Sequence, residues 1–392
     1  MIQINDPKQC CGCSACANIC PHHAITMQPD TLGFLYPIID KEKCIDCGLC
    51  EKVCSFNIHY DTSCNLSQPI AYAARHHDIK EVETSRSGAA FIAISDWILS
   101  QGGVVYGAGF SKHFHVIHKR ATTQEGRNEF KGSKYVQSEL RDIFQQVKTD
   151  LKKGLIVLFS GTPCQTAGLN SYIGNKLRTN LYLIDIVCHG VPSPKIWEDY
   201  LDYLENKEGD SISYVNFRDK EDFGWKAHTE SFRFTKQKEK KVISSFFTKL
   251  FYQHIMFRQS CSICYFSNIH RPSDITIADF WGWEKSAPEI NNDDKGVSLI
   301  LCNTNKGLNL IEKSKQDMHI IPIQPGNYMQ PNLIHPTRMH PLRNRFERDY
   351  KKYGFVYTMR KYGFLGGWQE KRFKLLSFFF RAVRFIIRKI RQ

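Results

Sequence analysis

The first 54 residues of the chain contain one cysteine pattern twice. Residues 10–20 read CCGCSACANIC, and residues 44–54 read CIDCGLCEKVC. Each stretch holds cysteines spaced C-x2-C-x2-C-x3-C, and these are Cys10, Cys13, Cys16 and Cys20, then Cys44, Cys47, Cys50 and Cys54. This doubled spacing indicates an internal repeat that builds two thiolate sites.

Three closely spaced thiols followed by a fourth are typical of the runs that hold 4Fe-4S clusters in two-cluster bacterial ferredoxins. There the fourth cysteine of each run ligates the other cluster, which locks the two halves together. Two zinc sites are the alternative, although zinc sites usually take paired C-x2-C knuckles. The pattern therefore predicts a ferredoxin domain at residues 1–60 with two 4Fe-4S clusters. Pro21 follows the first run, whereas Ser55 replaces the usual proline after the second.

The chain is longer than a ferredoxin domain requires, because it has 392 residues, of which 42% are hydrophobic. The remainder is enough for one large domain or two ordinary ones. No apolar segment precedes Cys10, so we expect no export signal. Its 15 cysteines then favour metal-bound thiolates in a reducing cytoplasm over a disulfide framework.

Residues 69–335 alternate helical and buried-strand patterns. Apolar runs at residues 154–159 (GLIVLF) and 181–187 (LYLIDIV) predict central strands of a covered sheet. Further strands are predicted at residues 103–110, 274–278 and 297–301, and helices at residues 87–99 and 195–205. The pattern predicts an α/β (α+β) core, joined to the ferredoxin domain by a polar linker at residues 61–68.

Four more cysteines stand in turn-like sequence after these strands. Cys164 lies in GTPCQ after the first apolar run, Cys188 begins CHGVP after the second, and Cys261 and Cys264 form a C-x2-C. Thiols at the ends of two adjacent strands, together with a C-x2-C pair, are consistent with one four-thiolate site. A zinc knuckle, a redox pair or two buried thiols are the alternatives for the C-x2-C pair.

The other three cysteines have no partner pattern. We expect Cys11, Cys64 and Cys302 to be ordinary buried thiols.

Together these segments resemble the beta-subunit family of coenzyme F420-reducing hydrogenase and formate dehydrogenase, which also includes flavin and iron–sulfur reductases of chlorophyll-type substrates. The resemblance covers about residues 69–335 and rests on GTPCQ at 161–165, CHGVPSP at 188–194, the C-x2-C at 261–264 and SDITIADFWG at 273–282. It implies an FAD beside a third 4Fe-4S cluster, with the cluster held by Cys164, Cys188, Cys261 and Cys264.

The resemblance also implies flavin contacts. The family's flavin-binding segments resemble residues 84–89 (TSRSGA) and residues 131–138 (KGSKYVQS), and small residues at a helix start let backbone N–H groups approach a pyrophosphate. The implied cofactor-binding residues are Ser87, Gly88, Gly132, Ser133, Lys134 and Tyr135, with Asp279 as a candidate flavin or substrate contact. An ordinary helix N-cap and a polar surface loop are the alternatives for the two segments. Trp225 and Trp281 could line the flavin cleft, but we expect both to pack in the core.

These parts suggest one function. Clusters transfer single electrons, whereas a hydride acceptor takes two at once, and a flavin can do both. We therefore interpret the chain as an FAD- and iron–sulfur-dependent oxidoreductase that reduces or oxidises a deazaflavin or an organic substrate, for instance in surface-polysaccharide synthesis. Its expected partner is an electron donor such as ferredoxin or a partner redox subunit. The alternative is a non-catalytic electron-transfer subunit that feeds a partner enzyme.

The basic charge is concentrated in a C-terminal tail at residues 336–392. From Pro341 to Gln392 there are 15 Lys and Arg against 3 Asp and Glu, whereas the whole chain has a net charge of +14. Residues 371–391 predict a basic amphipathic helix, too charged to span a bilayer but suited to an anionic membrane surface on the cytoplasmic side. A helix docked on the core or on a partner subunit is the alternative. Nucleic acid is not an expected partner, because no base-stacking module accompanies the charge.

Overall fold

The computed structural model of the protein describes residues 1–56, 60–290, 293–363, 365–367, 372 and 375–376. The strands in these residues are β1 (Ile25–Pro29), β2 (Leu35–Ile39), β3 (Asn65–His76), β4 (Val104–Phe110), β5 (Val116–Ala121), β6 (Val157–Gly161), β7 (Leu181–Ile186), β8 (Ile212–Asn216), β9 (Glu230–Phe234), β10 (Lys241–Ser244), β11 (Ile275–Asp279), β12 (Ser298–Thr304) and β13 (Met318–Ile323).

The helices of the same residues are α1 (Ala15–Ile19), α2 (Leu49–Lys52), α3 (Ile79–Thr84), α4 (Ala90–Ser100), α5 (Gln124–Asn128), α6 (Ile143–Lys152), α7 (Pro163–Ile173), α8 (Pro194–Glu208), α9 (Lys220–Phe223), α10 (Phe246–Gln253), α11 (Trp283–Ser286), α12 (Asn305–Ser314) and α13 (Arg343–Tyr362).

The central sheet has the strand order β13-β3-β12-β11-β7-β6-β4-β5. The strands β4, β6, β7 and β11 run parallel, whereas the outer strands pair antiparallel. The α/β core, its predicted strands and the predicted helices α4 and α8 are therefore confirmed, with small shifts at their ends. Val157, Leu158 and Phe159 are fully buried, because helices cover both faces of this sheet. The carboxyl ends of the four parallel strands share one edge, which is where such sheets bind ligands.

The predicted polar linker is partly wrong, because β3 begins at Asn65, inside residues 61–68. This strand pairs with β12 and with β13, so it belongs to the central sheet. Its first four residues are exposed or half-buried, and buried positions begin only at Pro69. The polar start hid the strand from a reading of apolar runs.

The internal repeat of the ferredoxin domain is visible in the backbone. Gly12 and Ser14 have left-handed φ values of 71° and 61°, and Asp46 and Gly48 repeat this with 52° and 72°. These paired residues flank the second cysteine of each run, and α1 and α2 begin directly after them. The two loops therefore fold in the same way, and the hairpin of β1 and β2 lies between them in the chain.

The ferredoxin domain is embedded in the rest of the protein. Leu32 and Phe34, which connect β1 to β2, are fully buried in a hydrophobic cluster that contains Trp197 of α8. The Ser193 hydroxyl donates to the Leu32 carbonyl at 2.6 Å, and the Lys195 N–H donates to the same oxygen at 3.2 Å. The start of α8 thus holds the β1–β2 connection in place.

A second, antiparallel sheet has the order β10-β9-β8. It packs with α8, α10 and α13 around an aromatic core. This core contains Trp197, Tyr200, Phe217, Phe232 and Phe247.

The first part of the basic tail docks on this core. Phe346, Tyr350 and Met359 of α13 are buried, and the Arg343 side chain donates to the Phe257 carbonyl at 2.9 Å. Residues 343–362 therefore dock on the core. The predicted amphipathic helix at 371–391 lies almost wholly outside the described residues. In the part of the chain that the structure describes, no helix is long and apolar enough to cross a membrane.

Candidate redox site

Two groups of thiols form in the ferredoxin domain, and each joins cysteines from both runs. Cys16 interacts electrostatically with Cys10 and Cys13 of its own run and with Cys54 of the second. We call these four the proximal group. The Gly12 N–H donates to Cys10 Sγ at 3.4 Å, as expected of a loop that wraps a cluster.

The second group lines a small cleft at the surface. It contains Cys20 from the first run with Cys44, Cys47 and Cys50 from the second, and we call it the distal group. The Ala24 N–H donates to Cys20 Sγ at 3.4 Å, and Cys47 is exposed. Three cysteines of one run thus meet the fourth of the other in both groups, which is the cross-ligation of a two-cluster ferredoxin.

The structure brings Cys164, Cys188, Cys261 and Cys264 together in the larger domain, and we call them the core group. Cys188 interacts electrostatically with each of the other three, and Cys261 with both Cys164 and Cys264. Among the described residues, no group of three or more His, Cys, Asp or Glu side chains is arranged to hold a single metal ion. A four-thiolate cluster fits the chemistry of this donor set.

Local structure explains how these thiols meet. A capping box between Thr162 and Gln165 begins α7 and fixes Cys164 in its first turn. Cys188 follows the neighbouring strand β7, and Cys261 lies in the 3-10 turn Gln259–Ile263. The ends of two adjacent parallel strands therefore meet one external turn.

The core thiols are half-buried. Burial raises the pKa of Cys261 to about 12 and raises that of Cys188 well above its ordinary value. A hydrogen bond from Cys11 lowers the pKa of Cys164 to about 7. Because metal-bound cysteines are thiolates, loading iron here must release protons.

The remaining cysteines differ from one another. Cys302 is fully buried in β12, as expected, whereas Cys64 is exposed and that expectation was wrong. Cys11 is buried, but it is more than an isolated core thiol, because it lies within hydrogen-bonding reach of Cys13 and Cys164.

A cavity of about 440 Å³ opens at the carboxyl edge of the parallel strands. Ile186 at the end of β7, Cys188 just beyond it, Thr162 after β6 and Asp279 at the end of β11 all line it. The cavity therefore adjoins the core group directly.

Six of the seven residues that the resemblance implied for flavin binding line this cavity. They are Ser87, Gly132, Ser133, Lys134, Tyr135 and Asp279. Gly88 does not line it; its Cα faces the sheet, where a Cβ would lie 2.3 Å from the Ala74 carbonyl oxygen. Gly88 thus allows the segment to pass close over β3.

The segment before α4 offers unpaired donors to the cavity. Arg86 Nη1 and Ser85 Oγ are buried and find no hydrogen-bond partner within the described residues. The N-cap of the helix is Ala89, a left-handed residue that makes no side-chain capping bond. An uncapped helix start beside a guanidinium is suited to a phosphate group.

Asp279 organises the wall opposite α4. Its carboxylate accepts from Arg218 Nη1 at 2.9 Å and from Trp225 Nε1 at 3.1 Å, and lies 3.5 Å from Arg86. Burial disfavours its charge, but the two guanidiniums outweigh burial and hold its pKa below the ordinary value. Trp225 is fully buried as expected, whereas Trp281 is 42% exposed and lines the cavity, so its expected core role was wrong.

Two titratable side chains of the lining are neutral or easily neutralised. Burial lowers the pKa of Lys134 to about 7, and its ammonium donates to the carbonyls of Glu129 and Lys131. Burial and the nearby His254 lower the pKa of His189 to about 4, and the two Nε2 atoms lie 2.7 Å apart. The residues that sequence reasoning missed are Arg218 and the role of Arg86, since a lone arginine has no local signature.

Comparison with protein-family models gives two matches. Residues 155–325 match the family that describes the C-terminal part of the beta subunit of coenzyme F420 hydrogenase/dehydrogenase, and residues 9–58 match the 4Fe-4S dicluster domain. Residues 155–325 are therefore related to this beta subunit, and residues 9–58 form a dicluster ferredoxin domain fused to them. The protein is an iron–sulfur electron-transfer protein related to the beta subunit.

Comparisons with curated protein sequences and with solved structures gave different results. Curated protein sequences give no match. Among solved structures, the chain is similar to a chain of the xenon-derivatized F420-reducing NiFe hydrogenase complex from Methanosarcina barkeri, with 15% identity and a TM-score of 0.45. The alignment covers 76% of this chain and 92% of that chain.

Proposed function

We propose that this protein is an FAD- and iron–sulfur-dependent oxidoreductase that exchanges electrons between its clusters and a hydride acceptor. The observation that carries the proposal is the position of Cys188, which belongs to the core group and also lines the cavity. A third 4Fe-4S cluster at the core group and FAD in the cavity would then be neighbours. Bound FAD supplies the conversion between single-electron and hydride chemistry.

The order of the thiol groups supports a path through the molecule. The exposed Cys47 makes the distal group the entry or exit for an external one-electron partner. The proximal group is next, since Cys11 and Cys13 belong to the same buried cluster of side chains as Cys164. The core group and the cavity follow. Electrons therefore travel between the surface and the cavity in three cluster steps.

The cavity supports the FAD assignment through its own residues. Arg86 and the uncapped start of α4 suit a pyrophosphate, and burial of Arg86 favours pairing with an anion. Asp279 holds Arg218 and Trp225 in place, and Arg218 lies over the Trp281 ring at 5.7 Å. The mouth of the cavity thus presents an aromatic face beside a fixed cation.

The open cavity is consistent with an external acceptor, whose identity and donor we infer from the resemblance. Trp281 and Tyr252 line the cavity and are 42% and 55% exposed, so a substrate can reach it from solvent. We assign the acceptor to deazaflavins or organic molecules, including intermediates of surface-polysaccharide synthesis, and the donor to ferredoxin or a partner redox subunit. We propose an anionic membrane surface as a partner of the basic tail and the cytoplasm as the location.

The test is the iron, sulfide and flavin content of anaerobically purified protein. We expect about twelve irons and one flavin per chain, as three four-thiolate clusters and one hydride converter require. Cys188→Ser should lose about four irons and the reduction of flavin while it keeps both ferredoxin clusters, whereas Cys302→Ser, which alters a buried thiol outside the groups, should lose none. About eight irons and no flavin in the unaltered protein would overturn the proposal in favour of a carrier protein without its own active site.

A further inference from the structure

One arginine lies between the proximal and core groups. The Arg258 side chain is 1% exposed, and its guanidinium donates to the Cys10 carbonyl at 2.8 Å and to Cys10 Sγ at 3.5 Å. The Arg258 carbonyl accepts from the Cys261 N–H at 3.1 Å. A single residue thus contacts one cysteine of each group.

The other hydrogen-bond and ring partners of this guanidinium are uncharged, and Asp30 is a carboxylate that interacts with it electrostatically. In the described part of the chain the guanidinium donates to the Leu35 carbonyl at 2.9 Å and to the Gln137 side-chain oxygen at 3.0 Å, and it lies 4.2 Å from the centre of the Tyr36 ring. These partners are neutral rather than carboxylates. Since a buried charge is costly without an opposite charge nearby, negative groups must lie close to it.

The thiols of the two groups are such neighbours, in addition to Asp30. Arg258 acts electrostatically on Cys10 and Cys13 of the proximal group and on Cys164 and Cys261 of the core group. A cluster ligated by four thiolates carries a net negative charge, which increases by one on reduction. Cluster charge and nearby hydrogen bonds set the potential of such a cluster. One guanidinium therefore faces both clusters.

The backbone of residues 10–13 closes around the guanidinium. Gly12 has a φ of +71°, and a Cβ there would lie 2.8 Å from Arg258 Nη1. The Gln137 side chain, which accepts from Arg258, also donates to the Cys11 carbonyl at 2.8 Å. The Cys11 thiol lies at the same contact, because it is within hydrogen-bonding reach of Cys13 and Cys164. We call this contact between the proximal and core groups, made by Arg258 and Cys11, the seam.

We propose that Arg258 is a positioning residue that couples the proximal and core groups electrostatically, and that electrons cross between the two domains at Arg258 and Cys11. The inference rests on the proposed function, because it requires a cluster at the core group. In this step one cluster loses one electron and the other gains it, and no bond is made or broken. A one-electron donor at the distal group supplies the electron. Arg258 favours the reduced form of both clusters, so it raises both midpoint potentials.

The experiment compares Arg258→Gln, which removes the charge, with Arg258→Lys, which keeps it. Redox titration of the holoprotein, followed by EPR, gives a midpoint potential for each cluster. In Arg258→Gln we expect the midpoint potentials of the proximal and core clusters to fall by at least 59 mV. This shift corresponds to a tenfold change in the ratio of reduced to oxidised cluster for a one-electron couple. The distal midpoint should not change, because Arg258 does not line that cleft. The Lys variant should stay near the unaltered protein.

A matched control removes another buried guanidinium. Arg127 is also 1% exposed, but it donates to the Ile92 carbonyl and pairs with Asp96, away from the thiols. Arg127→Gln should leave all three midpoints unchanged. If twelve irons are present and Arg258→Gln shifts no midpoint, or shifts all three equally, the coupling is overturned while the proposed function stands. A content of eight irons would overturn the proposed function and, with it, the proposed coupling by Arg258.

One measurement needs no variant and covers the case in which Arg258→Gln does not fold. In the fully reduced, unaltered protein, the EPR signals of the proximal and core clusters should be broadened by their mutual spin–spin interaction. Separate, unbroadened signals from these two clusters would overturn the proposed coupling of the proximal and core groups.

Discussion

Cys13 packs directly against Gly168: a Cβ at Gly168 would lie 2.8 Å from Cys13 Sγ and 2.9 Å from Cys13 Cβ. Gly168 is one turn along α7 from Cys164, which lies in the first turn of that helix. A cysteine of the proximal group therefore touches the helix that begins at the core group. The missing side chain at Gly168 sets how closely the two groups approach.

Gly168→Ala should push Cys13 out of place. The added methyl has no room, so we expect a loss of about 1–3 kcal/mol in the free energy of unfolding and a changed EPR signal of the proximal cluster. Gly126→Ala is the matched control, because its Cβ would make only ordinary contact at 3.4 Å with Ala121. Equal EPR spectra and equal stability in both variants would show that the contact is not tight.

Cys54→Ser should damage the cluster of the first cysteine run. Cys54 ends the second run but interacts with Cys16, so its loss removes one ligand from the proximal group. We expect the EPR signal of the proximal cluster to be lost or altered and the distal cluster to be kept. The exposed Cys64→Ser is the control and should keep both. Damage confined to the distal cluster would contradict the cross-ligation.

Arg86→Met should weaken flavin binding. A charge-assisted hydrogen bond contributes about 1.5–3 kcal/mol, so the dissociation constant should rise roughly 10- to 100-fold. Fluorescence titration of flavin-depleted protein with FAD measures it. Lys112→Met, which removes an exposed charge elsewhere, should have no effect. An unchanged constant in Arg86→Met would remove Arg86 from the proposed pyrophosphate site.

Glu230 should make stability depend on pH. The side chain is fully buried in β9, accepts from the Thr248 N–H and hydroxyl, and burial raises its pKa from 4.5 to about 7. The folded protein thus keeps a proton that the unfolded chain releases. The free energy of unfolding should therefore fall by roughly 3 kcal/mol as the pH rises from about 4.5 to above 7.

Anaerobic urea unfolding at pH 6 and pH 8 measures this effect. Glu230→Gln should remove most of the decrease between the two values, because an amide does not ionise. Glu42→Gln, at an exposed carboxyl, should keep the decrease. A decrease of the same size in Glu230→Gln would assign it to other groups.

Local patterns carried the predictions that succeeded. The eight motif cysteines of the ferredoxin domain lie in two short runs, and the parallel strands β6 and β7 are continuous apolar segments, so each can be recognised from neighbouring residues. The four core-group cysteines were associated through strand ends and the resemblance, because 100 residues separate the first of them from the last. Spacing alone did not exclude zinc as the bound metal.

What the sequence could not show depends on contacts between distant residues. Arg258 meets Cys10 across 248 positions, and Arg86 meets the Trp225 carbonyl across 139. Neither arginine belongs to a motif, and each acquires its role only because the fold buries it beside particular partners. The prediction for Trp281 was wrong for the same reason. A tryptophan in a turn at the end of a strand is expected to pack in the core unless the cavity beside it is known.

The burial of Leu32 and Phe34 has a consequence for kinetics. Because these side chains insert the ferredoxin domain into the core, the domain cannot leave to collect electrons from solution and return. Electron transfer across the seam is then a first-order process, because the distance between the proximal and core groups is the same in every molecule. Its rate should be unaffected by dilution or by solvent viscosity, and only the encounter with a donor at the exposed Cys47 end should respond to either.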